Sequence, residues 1–184
     1  VQWLINAYFL TSAAMVLIGG KLADIIGYRK AFVIGAAGFA ISNVIVGISH
    51  QYWMMLMGRI AQGASAALVG PTGFALIFHA FPPKERGRAI GISAGFSSLF
   101  LTIGPVLSAI FIEFSQWRAI FCLFLPLALA AILLAFFAVE KSQEREEKID
   151  FISLILMTIS ISALVISLME FRGWENAEVV FAFA

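Results

Sequence analysis

Charge is confined to short clusters along this chain, and long uncharged runs lie between them, at 1–20, 31–58, 60–83, 89–112, 119–139 and 151–169. Apolar positions within the runs do not alternate with period two. Each run is near or above the roughly 18–20 residues that cross about 30 Å of hydrocarbon, too long for barrel strands of about 9–11 residues. No water satisfies backbone groups in hydrocarbon, so spans of this length must be helical. The pattern predicts an all-α, polytopic helical bundle with spans at about 3–19, 31–49, 52–79, 88–112, 119–139 and 151–169.

Composition agrees. Apolar residues make up 61% of the 184 and charged residues 12%, against about 25% charged in soluble domains; the mean hydropathy is +0.97. The single Cys122 excludes a disulfide framework or a cysteine metal site. His50 and His79 sit at opposite ends of spans without metal-ligand spacing. There is no Gly-x-Ser-x-Gly elbow, Walker loop or intramembrane His/Glu pair, so no catalytic residue, metal ligand or enzyme activity is expected. Nor does the charge balance suggest nucleic acid as a partner. No basic n-region or small-residue cleavage site marks a signal peptide. Without an initiator Met, and with a further uncharged stretch under way at Ala184, the chain reads as a fragment of something longer.

The charge clusters assign orientation. Lys21, Arg29 and Lys30, then Lys84, Arg86 and Arg88, then Lys141, Arg145 and Lys148 fall on alternate turns. The turns between them hold only Arg118 and Arg172, giving nine cations on one side against two on the other. By the positive-inside bias the basic turns are cytoplasmic. Tyr52, Trp53, Trp117 and Trp174 all fall on the opposite side, as interfacial aromatics. The first span therefore runs inward, and one more span is expected before it.

Several residues depart from apolar filling. Asn6, Tyr8 and Thr11 give span one a polar face, suited either to helix–helix hydrogen bonds or to ligand contact. Gly35, Gly38 and Ser42 form a small-residue stripe that lets helices approach closely. Arg59 lies roughly 9 Å along the third span from Trp53, at 1.5 Å per residue. A cation at such depth costs at least about 2.5 kcal/mol and usually faces a partner or a water-filled path; the alternative is snorkelling to the outer surface. Gln62 and Gly63 follow on the same face, and Pro71 predicts a kink. Gly91, Gly95, Ser98 and Thr102, followed by Gly104-Pro105, predict a kinked fourth span pressed closely on a neighbour. Phe96 and Phe100 mark another face of it, for lipid, packing or a drug pocket. The fifth span, almost wholly apolar apart from Pro126, reads as peripheral.

Three stretches resemble motifs of the major facilitator superfamily. Gly20-Lys21-Leu22-Ala23-Asp24-Ile25-Ile26-Gly27-Tyr28-Arg29-Lys30 is similar to the loop signature G-x-L-A-D-[RK]-x-G-[RK]-[RK], with Ile25 and Tyr28 in place of two cations. Arg59-Ile60-Ala61-Gln62-Gly63 through Pro71 resembles the R-x-x-Q-G…P motif. Gly91, Gly95, Gly104 and Pro105 resemble the antiporter motif ending G-P-x-x-G-G, with Ser108 and Ala109 at the final glycines. The opening Trp3 to Leu10 and the Trp117-Arg118 turn resemble drug:proton antiporters of the fourteen-span EmrB/QacA type. The resemblance makes residues 1–139 an N-terminal bundle lacking its first helix, 140–150 a cytoplasmic linker and 151–184 extra linker helices.

What the resemblance implies is secondary active, proton-coupled efflux of amphipathic or cationic drugs by alternating access in the cell membrane. Gly20, Asp24, Gly27, Arg29 and Lys30 would form a conformational latch. Arg59, Gln62 and Gly63 would serve proton coupling, with the proton-carrying acid elsewhere. Gly91, Gly95, Gly104 and Pro105 would limit leakage and permit rocking; Asn6, Tyr8, Phe96 and Phe100 are candidate substrate-lining residues. Energy would come from the proton gradient with no cofactor. Implied partners are the bilayer, a small amphipathic substrate, protons and, in a Gram-negative cell, a periplasmic adaptor. An importer or facilitator of the same superfamily, or a non-transporting membrane receptor or scaffold, are the alternative readings.

Overall fold

The computed structural model describes residues 2–113, 118–138 and 151–170. They form helices α1 (Gln2–Ile26), α2 (Tyr28–Ile48), α3 (Tyr52–Ala80), α4 (Pro83–Glu113), α5 (Ala119–Ala138) and α6 (Phe151–Glu170). No strand occurs among the described residues. α1 to α4 each contain a stretch long and apolar enough to cross a membrane, and α5 and α6 contain shorter apolar stretches, Phe124–Phe137 and Leu154–Val165. The 140–150 linker, Trp117 and everything after residue 170 lie outside the described residues.

The helices overrun the predicted cytoplasmic turns. α1 continues seven residues past 19, and Gly27 alone separates it from α2. Gly27 has φ 87°, open to a residue without Cβ and strained for others; its carbonyl accepts from the Ala31 amide at 3.0 Å, the first bond of α2's ladder. Phe81 and Pro82 alone separate α3 from α4, so Lys84, Glu85, Arg86 and Arg88 lie in the first two turns of α4. Charge marks where the hydrocarbon ends. A helix whose backbone is already bonded internally has no reason to stop there.

α3 is the central helix, packed along α1 on one side and α2 on the other; α2 also packs on α5, and α6 lies against α1. The interior is built from small residues, with Ala7, Ala23, Ala31, Ala36, Ala67 and Ala135 buried. Large apolar side chains point outward, Leu101 and Phe137 being 80% and 87% exposed. Lipid is as apolar as leucine, so association here depends on close backbone approach rather than on hiding bulk from water. A Cβ on Gly63 would lie 2.5 Å from the Tyr8 carbonyl oxygen and 2.9 Å from Thr11 Cβ, which sets the α1–α3 separation. One on Gly35 would lie 2.9 Å from Leu68 Cβ, and one on Gly38 2.7 Å from Ser65 Oγ, which sets α2 against α3. The helical assignment runs unbroken through Pro71. The carbonyl that Pro71 leaves without its helical donor is Ala67's, and that carbonyl is what crowds Gly19 of α1.

α4 differs from expectation. It touches α3 and α5 only briefly, and nothing among the described residues lies within 4 Å of a Cβ at Gly91, Gly95 or Gly104. The small-residue stripe is present but is not pressed on a neighbour here. Spacing of small residues specifies that a partner can approach, and leaves open which one.

Candidate functional site

Arg59 sits in the second turn of α3, and its chemistry is set by what α2 and α5 bring to it. Its Nη1 donates to Gln62 Oε1 at 3.4 Å. Gln62 Nε2 donates to Asn43 Oδ1 on α2 at 3.1 Å, and Asn43 Nδ2 donates to the Phe39 carbonyl at 2.8 Å. Gln62 and Asn43 are 2% and 3% exposed, so each amide is committed to this chain. The guanidinium also lies over the Phe121 ring of α5, 5.2 Å from its centroid, a placement that favours a cation. One turn further along α3, the Gly63 crossing seats the Tyr8 backbone of α1. Arg59 Nε is buried without a hydrogen-bond partner among the described residues. Arg59 is thus half-buried, engaged by α3 and α5 and linked to α2 through Gln62.

The sequence reading named Arg59, Gln62 and Gly63 but missed Asn43. The signal was available. Gly35, Gly38, Ser42 and Asn43 fall at i, i+3, i+7 and i+8, one helical face, and a lone amide in an apolar span demands a partner.

At the other end of the bundle, Asp24 lies in the last turn of α1 and accepts from the Tyr28 hydroxyl at 2.7 Å. The Tyr28 ring stacks obliquely on His79 from the end of α3, centroids 5.3 Å apart. No side chain caps the start of α2, so Asp24 is engaged by its neighbour's hydroxyl and does not serve as a helix cap. Arg29 donates to the Phe136 carbonyl near the end of α5 at 2.5 Å, with its guanidinium 5.1 Å from the Phe136 ring. Arg86 closes the α3–α4 corner by donating to the Phe81 carbonyl at 3.1 Å. At the opposite end Arg118, just before α5, donates to the Ser49 carbonyl beyond α2 at 3.2 Å. These contacts tie the α1–α2 break to the end of α5 at one end of the bundle, and the end of α2 to the start of α5 at the other.

Other candidates are not brought together. Asn6 and Tyr8 are half-buried on α1, whereas Phe96 and Phe100 are exposed on α4, and α1 and α4 share no contact among the described residues. One pocket lined by all four is not formed there. Gly20 packs loosely, a Cβ there meeting Pro71 at 3.9 Å.

Long apolar helices and an inside built of small residues define a polytopic membrane bundle. Residues 1–172 match the Major Facilitator Superfamily, and the chain belongs to that family. It is an integral, multi-pass membrane protein. Among its relatives, the tetracenomycin C resistance and export protein of Streptomyces glaucescens is 30% identical over 176 residues, covering 95% of this chain and 33% of that protein. The multidrug resistance protein Stp of Mycobacterium tuberculosis is 32% identical, covering 98% and 34%. The multidrug transporter mfsC of Aspergillus fumigatus is 33% identical, covering 98% and 36%. The chain thus spans about a third of the length of the curated relatives it matches.

Proposed function

We propose that the protein carrying this chain is a secondary active exporter that expels amphipathic or cationic drugs from the cell by alternating access, in exchange for inward-moving protons. The observation that carries the reading is Arg59, a permanent cation among apolar helices that meets a buried amide chain through Gln62. A buried charge is costly and is kept where it acts on a path for ions or substrate. The relative from Streptomyces glaucescens, an export protein, supports the direction of transport. Arginine does not itself titrate, so its role is to tune an acid or water that does. Asp24, with Gly20, Gly27, Arg29 and Lys30, forms the cytoplasmic latch; Gly91, Gly95, Gly104 and Pro105 present the surface on which one bundle rocks against another. The proton gradient supplies the energy and no cofactor is required. In a Gram-negative cell a periplasmic adaptor would receive the exported compound.

Inverted vesicles holding the whole protein test this. With an acid interior established, an amphipathic cation should dissipate the pH gradient, and Arg59→Lys should abolish that response while leaving protein in the membrane. Substrate equilibration without proton movement would convert the reading to a facilitator. No response to substrate in either direction would overturn transport.

A further inference from the structure

Asp24 stands where a carboxylate is least welcome. It lies in the last turn of α1, and the carbonyl-rich end of a helix repels negative charge. Something must fix it there, and the sequence lacks the cations found at two positions of the motif it resembles, where Ile25 and Tyr28 stand instead. The Tyr28 hydroxyl reaches back across the Gly27 break to Asp24 Oδ1 at 2.7 Å, within the range of a charge-assisted O–H···O bond. Its ring is steadied by His79 of α3, 5.3 Å away and tilted by 30°. The hydroxyl's aim is thereby set by a third helix.

We propose that Tyr28 is a positioning residue for Asp24, doing by direction what a cation at its place does by charge. The phenol fixes the carboxylate's rotamer and joins the ends of α1, α2 and α3 into one unit, and it brings no second charge to the pair. With tyrosine there, Asp24 is aimed in one direction, ready for a donor or cation on whatever surface meets this end of the bundle. The inference rests on reading Asp24 as a latch, and it adds that the latch in this protein is set through Tyr28 and His79.

The test uses the whole protein in inverted vesicles, with drug-dependent dissipation of the pH gradient as readout and membrane abundance and melting temperature as controls. Tyr28→Phe keeps the ring and its stack on His79 and removes only the hydroxyl. Transport should fall roughly three- to tenfold, the scale of one lost hydrogen bond in such a setting, with melting little changed. Tyr28→Arg should recover most of the loss, which a merely structural tyrosine would not permit. In an Asp24→Asn background, Tyr28→Phe should cause no further loss. If Asp24→Asn impairs transport while Tyr28→Phe does not, the positioning role is overturned and the latch survives. If both are silent, the latch itself falls and the proposal with it. Additive losses without rescue by arginine would reduce Tyr28 to packing.

Discussion

The Asn43–Gln62 bond gives a sharp prediction, because both amides are almost fully buried, at 3% and 2% exposed. Asn43→Leu leaves Gln62 Nε2 without its acceptor, and Gln62→Leu leaves Asn43 Oδ1 without its donor and Arg59 without Oε1. A buried polar group stranded in this way costs about 1–3 kcal/mol. Interhelical hydrogen bonds in membranes average only about 0.6 and reach about 1.7 kcal/mol, because the unfolded chain also finds partners in the bilayer. Near-complete burial of both amides places this bond toward the upper end, so each single substitution should cost about 1–2 kcal/mol. The double Leu variant removes both partners together, which can be nearly neutral. Its loss should undercut the sum of the singles by at least roughly 0.6 kcal/mol. The assay is reversible unfolding of the whole protein in mixed micelles, comparing wild type, both singles and the double. Strict additivity, within the ~0.3 kcal/mol expected of independent sites, would refute the bond. A double loss smaller than the sum by more than that, with proton-linked transport falling in each single, would support the amide chain as the support for Arg59.

Glycines on different helices should behave oppositely. Gly63→Ala forces a Cβ against the Tyr8 carbonyl at 2.5 Å and should destabilise by about 1–3 kcal/mol, the usual range for overpacking; an unchanged unfolding midpoint would contradict the α1–α3 crossing. Gly91→Ala meets nothing within 4 Å among the described residues, so stability should hold or rise by up to about 1 kcal/mol from helix propensity, and Gly91→Leu should impair transport without unfolding the bundle. Arg29→Met and Arg118→Met each remove a bond to a carbonyl at one end of the α2–α5 pair. Each should cost about 0.5–1 kcal/mol at these solvent-accessible positions, read as faster hydrogen exchange at that end only, and the two losses should add because α2 separates them by roughly 30 Å.

The six helices were legible in the sequence because hydrocarbon thickness converts directly into run length, and Arg59 was legible because a lone cation in an apolar run has few bland explanations. Helix ends were not. The segment from Lys21 to Ile26 looks like a turn by composition, yet the backbone continues helically until Gly27, the one residue whose φ breaks the ladder. Asn43 could have been found by extending the Gly35 face one residue further. The Tyr28–Asp24 bond could not, since it depends on a one-residue helix break that places the first turn of α2 against the last turn of α1. For α4 the glycine periodicity was visible, but periodicity carries no address.

Polar bonds are distributed unevenly among the helices, and the inequality bears on mechanism. α2 is fastened at three heights: Tyr28 to Asp24 and Arg29 to Phe136 at one end, Asn43 to Gln62 in the middle, and Ser49 to Arg118 at the other end. Those bonds join it to α1, α3 and α5. On α4, away from its first turn, the described side-chain hydrogen bonds return to its own carbonyls, Ser97 to Ser93 and Thr102 to Ser98. Small residues with satisfied hydroxyls make a smooth surface that can slide, whereas interhelical amide and guanidinium bonds have fixed lengths and resist shear. Alternating access requires both kinds of surface in one protein. If rocking occurs on α4, cross-linking α2 to α5 should leave transport intact. Cross-linking α4 to a facing helix should stop it, and the opposite pattern would place the moving surface inside the fastened body.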